Sequence, residues 1–367
     1  MNRLARTLVA VLAISASLGA LLGASPTLAG NVRPPTFTVV MGGCISGKLP
    51  QDYTAVDVVW RDKNGHRKAR FHYQTSEYGY WYAPDSVCAT HTAAKGDTIQ
   101  AHITVPTDVT RTFTVKSVTG TFNRISNVIA GTAPAAGQLY LDIGRPELAL
   151  NSYVPVCEHL TPVDSTGHYA YDTSGCATGY DAIGGDEALA DWIDSSGDRI
   201  SHEMHAPYVE ANQGSAKVDG FVDPAGSIAL TLRSKSGALR ASTHAAADAF
   251  GGWHATFHKS GGAPVVPNPN DMITGNWPGQ GYKVRALSVQ WDLAANTVQG
   301  FCTPDTAYGL LVRWTDSFAF LDDTTDAAGA TSVLTITGHQ LVTGDQISLV
   351  CMRPNGDRTK LVEAIPE

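Results

Sequence analysis

"RDKNGHRKARFHYQTSEYGYW" (residues 61–81) and "RSKSGALRASTHAAADAFGGW" (residues 233–253) decide how this chain is read. Each opens on Arg and has Gly at the fifth position. Each has Gly again 18 residues after the Arg, and Trp 20 residues after it. Spacings that agree over this length without a gap mark an internal repeat. Just before each copy, apolar residues alternate. "AVDVVW" puts Val56, Val58 and Trp60 on one face, and "SIALTL" does the same with Ile228, Leu230 and Leu232. Period two is the pattern of a half-buried strand. "KNGH" and "KSGA" then read as hairpin turns.

Two further copies follow the same order of features. Each copy opens on a strand ending in Gly: "VVMGGC", "NVIAGT", "AKVDGF" and "NTVQGF", with Gly43, Gly131, Gly220 and Gly300. Midway comes a turn, "SEYG", "DSTG", "DAFG" or "DAAG", ending at Gly79, Gly167, Gly251 and Gly329. Three of these turns begin with Asp (Asp164, Asp248, Asp326). An Asp carboxylate bonds the backbone two residues on, and Gly supplies the positive φ. Later, "KGDTI", "GGDEA", "PGQGY" or "TGDQI" leads into another strand. Roughly six or seven short strands in about 80–90 residues is the pattern of an immunoglobulin-like sandwich. "DEALADWIDSS" (residues 186–196) looks helical in isolation, but the repeat register places a strand there.

The third copy carries Gly220, Pro224, Gly226, Gly237, Asp248, Gly251 and Trp253. In that pattern the chain resembles the tandem immunoglobulin-like domains of bacterial surface and secreted proteins. The likeness is one of fold, and such folds host many functions. The expected architecture is all-β, with four tandem immunoglobulin-like β-sandwich domains after an N-terminal signal peptide. The expected bounds are 1–29 for the signal, then 30–118, 119–214, 215–294 and 295–367 for the sandwiches.

The signal reading rests on Arg3 and Arg6, an uncharged apolar run from Leu8 to Leu22, and small residues at Thr27 and Ala29. The run is shorter than the roughly 20 residues a membrane span needs. No later segment is long and apolar enough to span, so the product is expected outside the cell or at its surface. After removal of residues 1–29, 24 basic face 34 acidic residues, a net charge of −10. That excess argues against nucleic acid, whose binding rests on Lys and Arg contacts to phosphate, and against anionic membrane surfaces.

Six cysteines in an exported chain point to disulfides. The first, second and fourth copies hold two each. Pairing within copies gives Cys44–Cys88, Cys157–Cys176 and Cys302–Cys351. Cys88 and Cys176 each follow a turn glycine by nine residues, whereas Cys44 and Cys302 are both read on opening strands.

No motif supplies catalytic chemistry. "HEMH" holds His202, Glu203 and His205, but its histidines are three apart, whereas a helical zinc motif needs four. In a strand they point to opposite faces, so no metal site is assigned. "DTSG" and "DSSG" depart from the aspartic-protease pattern and read as turns. The acidic runs "FLDDTTDAAG" and "GGDEALADWIDSSGD" read as solvated turns, with calcium as the one cofactor considered.

Three aromatics are ligand-binding candidates. Tyr80 and Tyr82 have outward parity beside Trp81, which aligns with Trp253 as sandwich core. Trp277 lies in the longest irregular stretch, residues 258–281. That stretch is either a binding loop or a loop packed over its own domain.

Together these features predict a non-enzymatic exported protein of surface architecture, adhesion or matrix assembly. Its expected partner is an extracellular protein or glycan, and exposed sheet edges also allow self-association. The alternatives are a carbohydrate-binding accessory protein using exposed aromatics, or a hydrolase with a His/Asp site that no motif reveals.

Overall fold

The structure, a computed structural model, describes residues 34–49, 55–75, 78–103, 108–135, 137–150, 152–177, 179–279 and 281–366. The signal segment lies outside them. The fold is all-β, with six sheets among the described residues. The helix-like pattern at residues 186–196 is a strand, Glu187–Ile193. No helix among the described residues is long and apolar enough to cross a membrane. By contact the chain divides into two compact units. One holds the described residues up to Val118 with Ala133–Gln138 and Asp191–His202. The other is Thr119–Thr132 with Leu139–Ala190 and Glu203–Glu367.

The hairpins of the repeat form as the sequence directs. Ala55–Arg61 pairs with Arg67–Gln74, and Ser227–Arg233 pairs with Leu239–Ala246. Both ladders shift register at the Arg, after Trp60 and after Leu232. In both, the Arg reaches back to the turn: Arg61 donates to the Gly65 carbonyl at 3.2 Å and Arg233 to the Gly237 carbonyl at 3.1 Å.

The Asp turns also form. Asp164, Asp248 and Asp326 each accept the N–H groups two and four residues on, at 2.8–2.9 Å. Gly167, Gly251 and Gly329 take φ of 88°, 86° and 82°. A Cβ on Gly251 would meet the Val222 carbonyl oxygen at 2.0 Å.

Cross-strand pairs fix the inner face. Gly47 lies opposite Trp81, Gly131 opposite Tyr169 and Gly220 opposite Trp253. The first-copy counterpart of Gly131 and Gly220 is therefore Gly47, not Gly43. A bare backbone is required there, because a Cβ on Gly47 would sit 2.5 Å from the Trp81 ring nitrogen. The indole N–H groups of Trp81 and Trp253 are buried without a partner among the described residues, so this position contributes packing. In the fourth copy, buried Thr331 takes the aromatic's place and accepts the Gly300 N–H.

A second turn recurs in all four copies. Gly96, Gly185, Asn270 and Gly344 have positive φ, and each is followed by a buried Asp: Asp97, Asp186, Asp271 and Asp345. Each carboxylate accepts the N–H three residues back, at 2.8–3.1 Å. Each also meets a basic side chain: Lys68, Arg145, Arg240 or His339. The third copy makes this turn at "PNDM" rather than at the expected "PGQGY". The stretch 258–281 is accordingly not one loop, since it contains the strand Met272–Gly275.

The copies are joined by parallel pairing. Thr36–Val40 runs parallel to Arg199–His205, with Thr38 opposite Arg199. Tyr208–Gln213 runs parallel to Arg358–Ala364, with Glu210 opposite Arg358. In each joint the same chemistry sits at the head of the pair. The sequence Gly-Asp-Arg occurs at residues 197–199 and 356–358, and its Asp accepts the N–H of the partner strand. Phe37 donates to Asp198 at 3.0 Å, and Val209 donates to Asp357 at 3.1 Å. In the second unit this joint is the middle of a seven-stranded sheet ordered Gly252–Thr256, Lys217–Phe221, Tyr208–Gln213, Arg358–Ala364, Gln346–Met352, Ala307–Arg313, Phe318–Thr324. Separate apolar cores lie under it, one around Leu230, Trp253 and Trp277, the other around Leu310, Ile347 and Leu349.

All three disulfides form within copies: Cys44–Cys88, Cys157–Cys176 and Cys302–Cys351. Their partners are not equivalent. Cys44 precedes the strand Ile45–Lys48, while Cys302 follows Thr297–Phe301. Closing loops of 44, 19 and 49 residues is worth about 3–4 kcal/mol each.

Two measurements test the turns. Asp271→Ala orphans Arg240 and the Asn268 N–H, and should lower the unfolding free energy by about 2–4 kcal/mol in urea. The Asp164 carboxyl is held below its ordinary value by the His168 N–H and then by Thr166. Its stabilisation is present above 3.8 and is lost as the pH falls through the depressed value. Asp164→Ala should therefore melt lower at pH 7, with the difference closing in strong acid.

Candidate functional site

The aromatic candidates of the first copy lie on one strand, Tyr80–Tyr82. Trp81 points into the core, and Tyr80 and Tyr82 stay half-buried on the other face. Lys48, opposite Tyr80 in the ladder, holds its Nζ 4.9 Å from that ring's centre. Tyr73 meets Tyr82 edge-on at 6.1 Å. Burial, then the neighbouring Tyr73 and Tyr80, pushes the Tyr82 phenol up to about 12, so it stays a neutral donor. The patch offers flat rings, hydroxyls and one cation, which suits stacking against a sugar or seating a protein segment.

Trp277 is elsewhere and does something else. It is 2% exposed, inside the third copy's core, and its ring N–H donates to Asp357 at 3.2 Å. It has no face to offer a ligand. Of the two readings of its loop, the packed one holds. Asp357 also accepts from Asn355 at 3.0 Å and faces Arg124 at 3.5 Å. Burial raises this carboxyl, against the lowering by Arg124 and the Val209 N–H. The sequence signal for this node is the second Gly-Asp-Arg, residues 356–358.

The "HEMH" segment forms part of the strand Arg199–His205. Ile200 and Met204 lie on one face, and Glu203 and His205 share the other. His202 and His205 thus have opposite parity, as the strand reading requires. Glu203 and His205 are nevertheless buried, at 8% and 3% exposed. His205 Nε2 lies 2.8 Å from Glu203 Oε1, and its Nδ1 lies 3.2 Å from the Tyr153 hydroxyl. Phe221 covers the imidazole, with ring centres 3.9 Å apart.

Glu187, at the start of the neighbouring strand, completes the group. One donor atom from each of Glu187, Glu203 and His205 lies within 4.8 Å of the others. Burial raises the Glu187 carboxyl well above its ordinary range, and the charges of Glu203 and Asp142 raise it further. Burial also raises the Tyr153 phenol, with Glu187 adding to it. Sequence reasoning found Glu203 and His205 but not Glu187 or Tyr153, because strand pairing, not spacing, brings these four together.

Much of the acidic charge in the two runs weighed for calcium is already engaged. Asp186 pairs with Arg145, Asp191 with Arg199, and Asp198 with Arg111. Asp322 accepts the Ala149 N–H and Asp326 closes its own turn. A cleft of about 470 Å³ in the second unit gathers Lys283, Arg285 and Arg353, an arrangement suited to an anionic group.

Trp277→Phe keeps an aromatic ring but deletes the hydrogen bond to Asp357 and leaves a void where the indole's second ring packs. It should cost about 2–4 kcal/mol of stability in denaturant titration.

No family model and no curated protein matches this chain. Solved structures align over most of it. A tetra-tandem repeat from the extending region of a large adhesion protein shares 15% identity over 90% of this chain and 98% of that one, with a TM-score of 0.19. A 1.5-MDa bacterial ice-binding adhesin shares 10% over 94% and 99%, at 0.18. Escherichia coli alpha-2-macroglobulin shares 11% over 94% of this chain and 30% of that one, at 0.18. At these TM-scores the alignments carry nothing about activity or partners.

Proposed function

We propose that this is an exported, non-enzymatic tandem-sandwich protein of cell-surface architecture or adhesion. The observation that carries the reading is the set of three disulfides stapling small β-sandwich copies. Such bonds persist in oxidising surroundings outside the cytoplasm, and they stabilise domains of this size where the core alone is marginal. Two parallel joints built to one plan add a second support.

The contact surface for an extracellular glycan or protein is the face formed by Lys48, Tyr73, Tyr80 and Tyr82. Tyrosine supplies large contact area with few rotatable bonds, and its hydroxyl supplies direction. The same chemistry favours the reading over the carbohydrate-accessory alternative only in breadth, since both use this face.

The test is binding of the full chain to a glycan array and to intact bacterial cells, beside a Tyr80→Ala/Tyr82→Ala variant. The variant should lose at least tenfold in binding to one of the two targets, with an unchanged melting midpoint. Equal binding by both proteins would remove the patch from the proposal. Turnover of any arrayed glycan by the wild type would replace the non-enzymatic reading.

A further inference from the structure

The two joints are built to one plan, so the residues around them can be compared position by position. Asp186 and Asp345 hold equivalent turns, and Asp198 and Asp357 make equivalent contacts to the partner strand. Counting from these markers, Glu187 corresponds to Gln346, Glu203 to Val362 and His205 to Ala364. Gln346 and Ala364 are cross-strand partners, so the correspondence holds in the ladder as well as in the sequence. In that later joint the three positions are exposed, with Val362 50% exposed. The template therefore folds with an amide, a Val and an Ala there, facing water. In the earlier joint the same positions carry two carboxylates and an imidazole, and Glu203 and His205 are shut away from water beneath Tyr153 and Phe221. Nothing about the fold requires that exchange.

The exchange is costly as it stands. Two carboxylates share a poorly solvated site, and among the described residues no hydrogen bond or cationic side chain meets the Glu187 carboxylate. Arg358, which acts on Tyr153 from a distance, is spent on the Tyr208 ring at 4.1 Å and on the carbonyls of Gly356 and Gly184. Asp142 adds negative charge. A divalent cation would remove the conflict.

We propose that Glu187, Glu203 and His205 form a binding site for a divalent transition metal, with Zn²⁺ as its occupant. The donor set selects for this class. Carboxylate oxygen and imidazole nitrogen together suit zinc, whereas calcium and magnesium take oxygen alone. Zinc bonds of about 2.0–2.2 Å impose donor separations of roughly 3.3–3.6 Å: Nε2 of His205 and Oε1 of Glu203, now 2.8 Å apart, open slightly, and the wider separations, none beyond 4.8 Å, close. The imidazole is oriented for the task. A metal-bound histidine gives one ring nitrogen to the ion and its other N–H to an acceptor that fixes the ring. Here Nδ1 lies 3.2 Å from the Tyr153 hydroxyl and Nε2 faces the carboxylates, so with a metal on Nε2 the Nδ1–H has the Tyr153 oxygen as its acceptor. Zinc takes the place of the proton between Nε2 and Glu203. Two glutamates balance the ion's charge, and a fourth position is left for water. Tyr153 is a positioning residue, and Phe221 keeps solvent off the imidazole. This site is independent of the aromatic face proposed for partner binding.

The experiment is calorimetric titration of the chelator-treated full chain with ZnCl₂, and separately with CaCl₂. Glu187→Gln, His205→Ala and Tyr153→Phe variants are titrated beside it. The wild type should bind one Zn²⁺ per chain. Glu187→Gln and His205→Ala should weaken binding at least tenfold, and Tyr153→Phe by about tenfold. Cobalt(II) in place of zinc should give visible absorption that His205→Ala loses. Glu187→Gln is nearly isosteric and guards against a variant that merely fails to fold. Without metal it should melt no lower than the wild type, and zinc should raise the wild type's midpoint but not the variant's. Failure of the wild type to bind zinc, binding by Glu187→Gln equal to wild type, or a response to calcium alone would each overturn the proposal.

Discussion

A carboxylate taken out of water destabilises a fold by several kcal/mol unless donors meet it. This chain uses that constraint as its organising device. Asp97, Asp186, Asp271 and Asp345 are all buried, and each is met by a backbone N–H three residues earlier. Asp198 and Asp357 are met by backbone N–H groups from strands far away in the chain. A carboxylate satisfied by main chain fixes where that main chain runs, which a pairing with a flexible side chain would not. The register of each joint follows. A one-residue slip would turn every side chain of the strand to the wrong face and leave the acid unmet.

Local chemistry was legible in the sequence, and long-range chemistry was not. The hairpins after Arg61 and Arg233, the turns at Asp164, Asp248 and Asp326, and the inward Trp81 and Trp253 all follow from spacing and parity within some twenty residues. The buried Asp series is only partly visible in the sequence. Three of its members sit in "KGD", "GGD" and "TGD", but Asp271 hides in a longer stretch where Asn270 replaces the glycine. Gly43 follows an apolar run and so reads as the opening glycine. The bare backbone is needed four residues later, at Gly47, where Trp81 lies against the strand. The parallel joints could not be read at all, since Phe37 and Asp198 are 161 residues apart and only the recurrence of Gly-Asp-Arg hints at them.

The buried Glu–Glu–His group shows why. Strand parity placed Glu203 and His205 on one face, apart from His202. It could not say that this face would be covered, or that Glu187 would lie alongside. Polar residues at outward positions ordinarily mean water. Here Tyr153 and Phe221 take water's place. The later joint folds with Gln346, Val362 and Ala364 at the equivalent positions, so the fold itself does not require the two glutamates and the histidine.

The parallel joints also determine how the chain bears tension. Two parallel strands pulled at opposite ends slide along each other, so their hydrogen bonds are strained together rather than unzipped one by one. A pull between Thr36 and His205 acts on the first joint in this way, and a pull between Tyr208 and Ala364 acts likewise on the second. The residues enclosed by a joint, such as the loop closed by Cys44–Cys88 in the first, lie off the line of force until the joint yields. Stretching such a chain tests two short parallel ladders before it tests any sandwich.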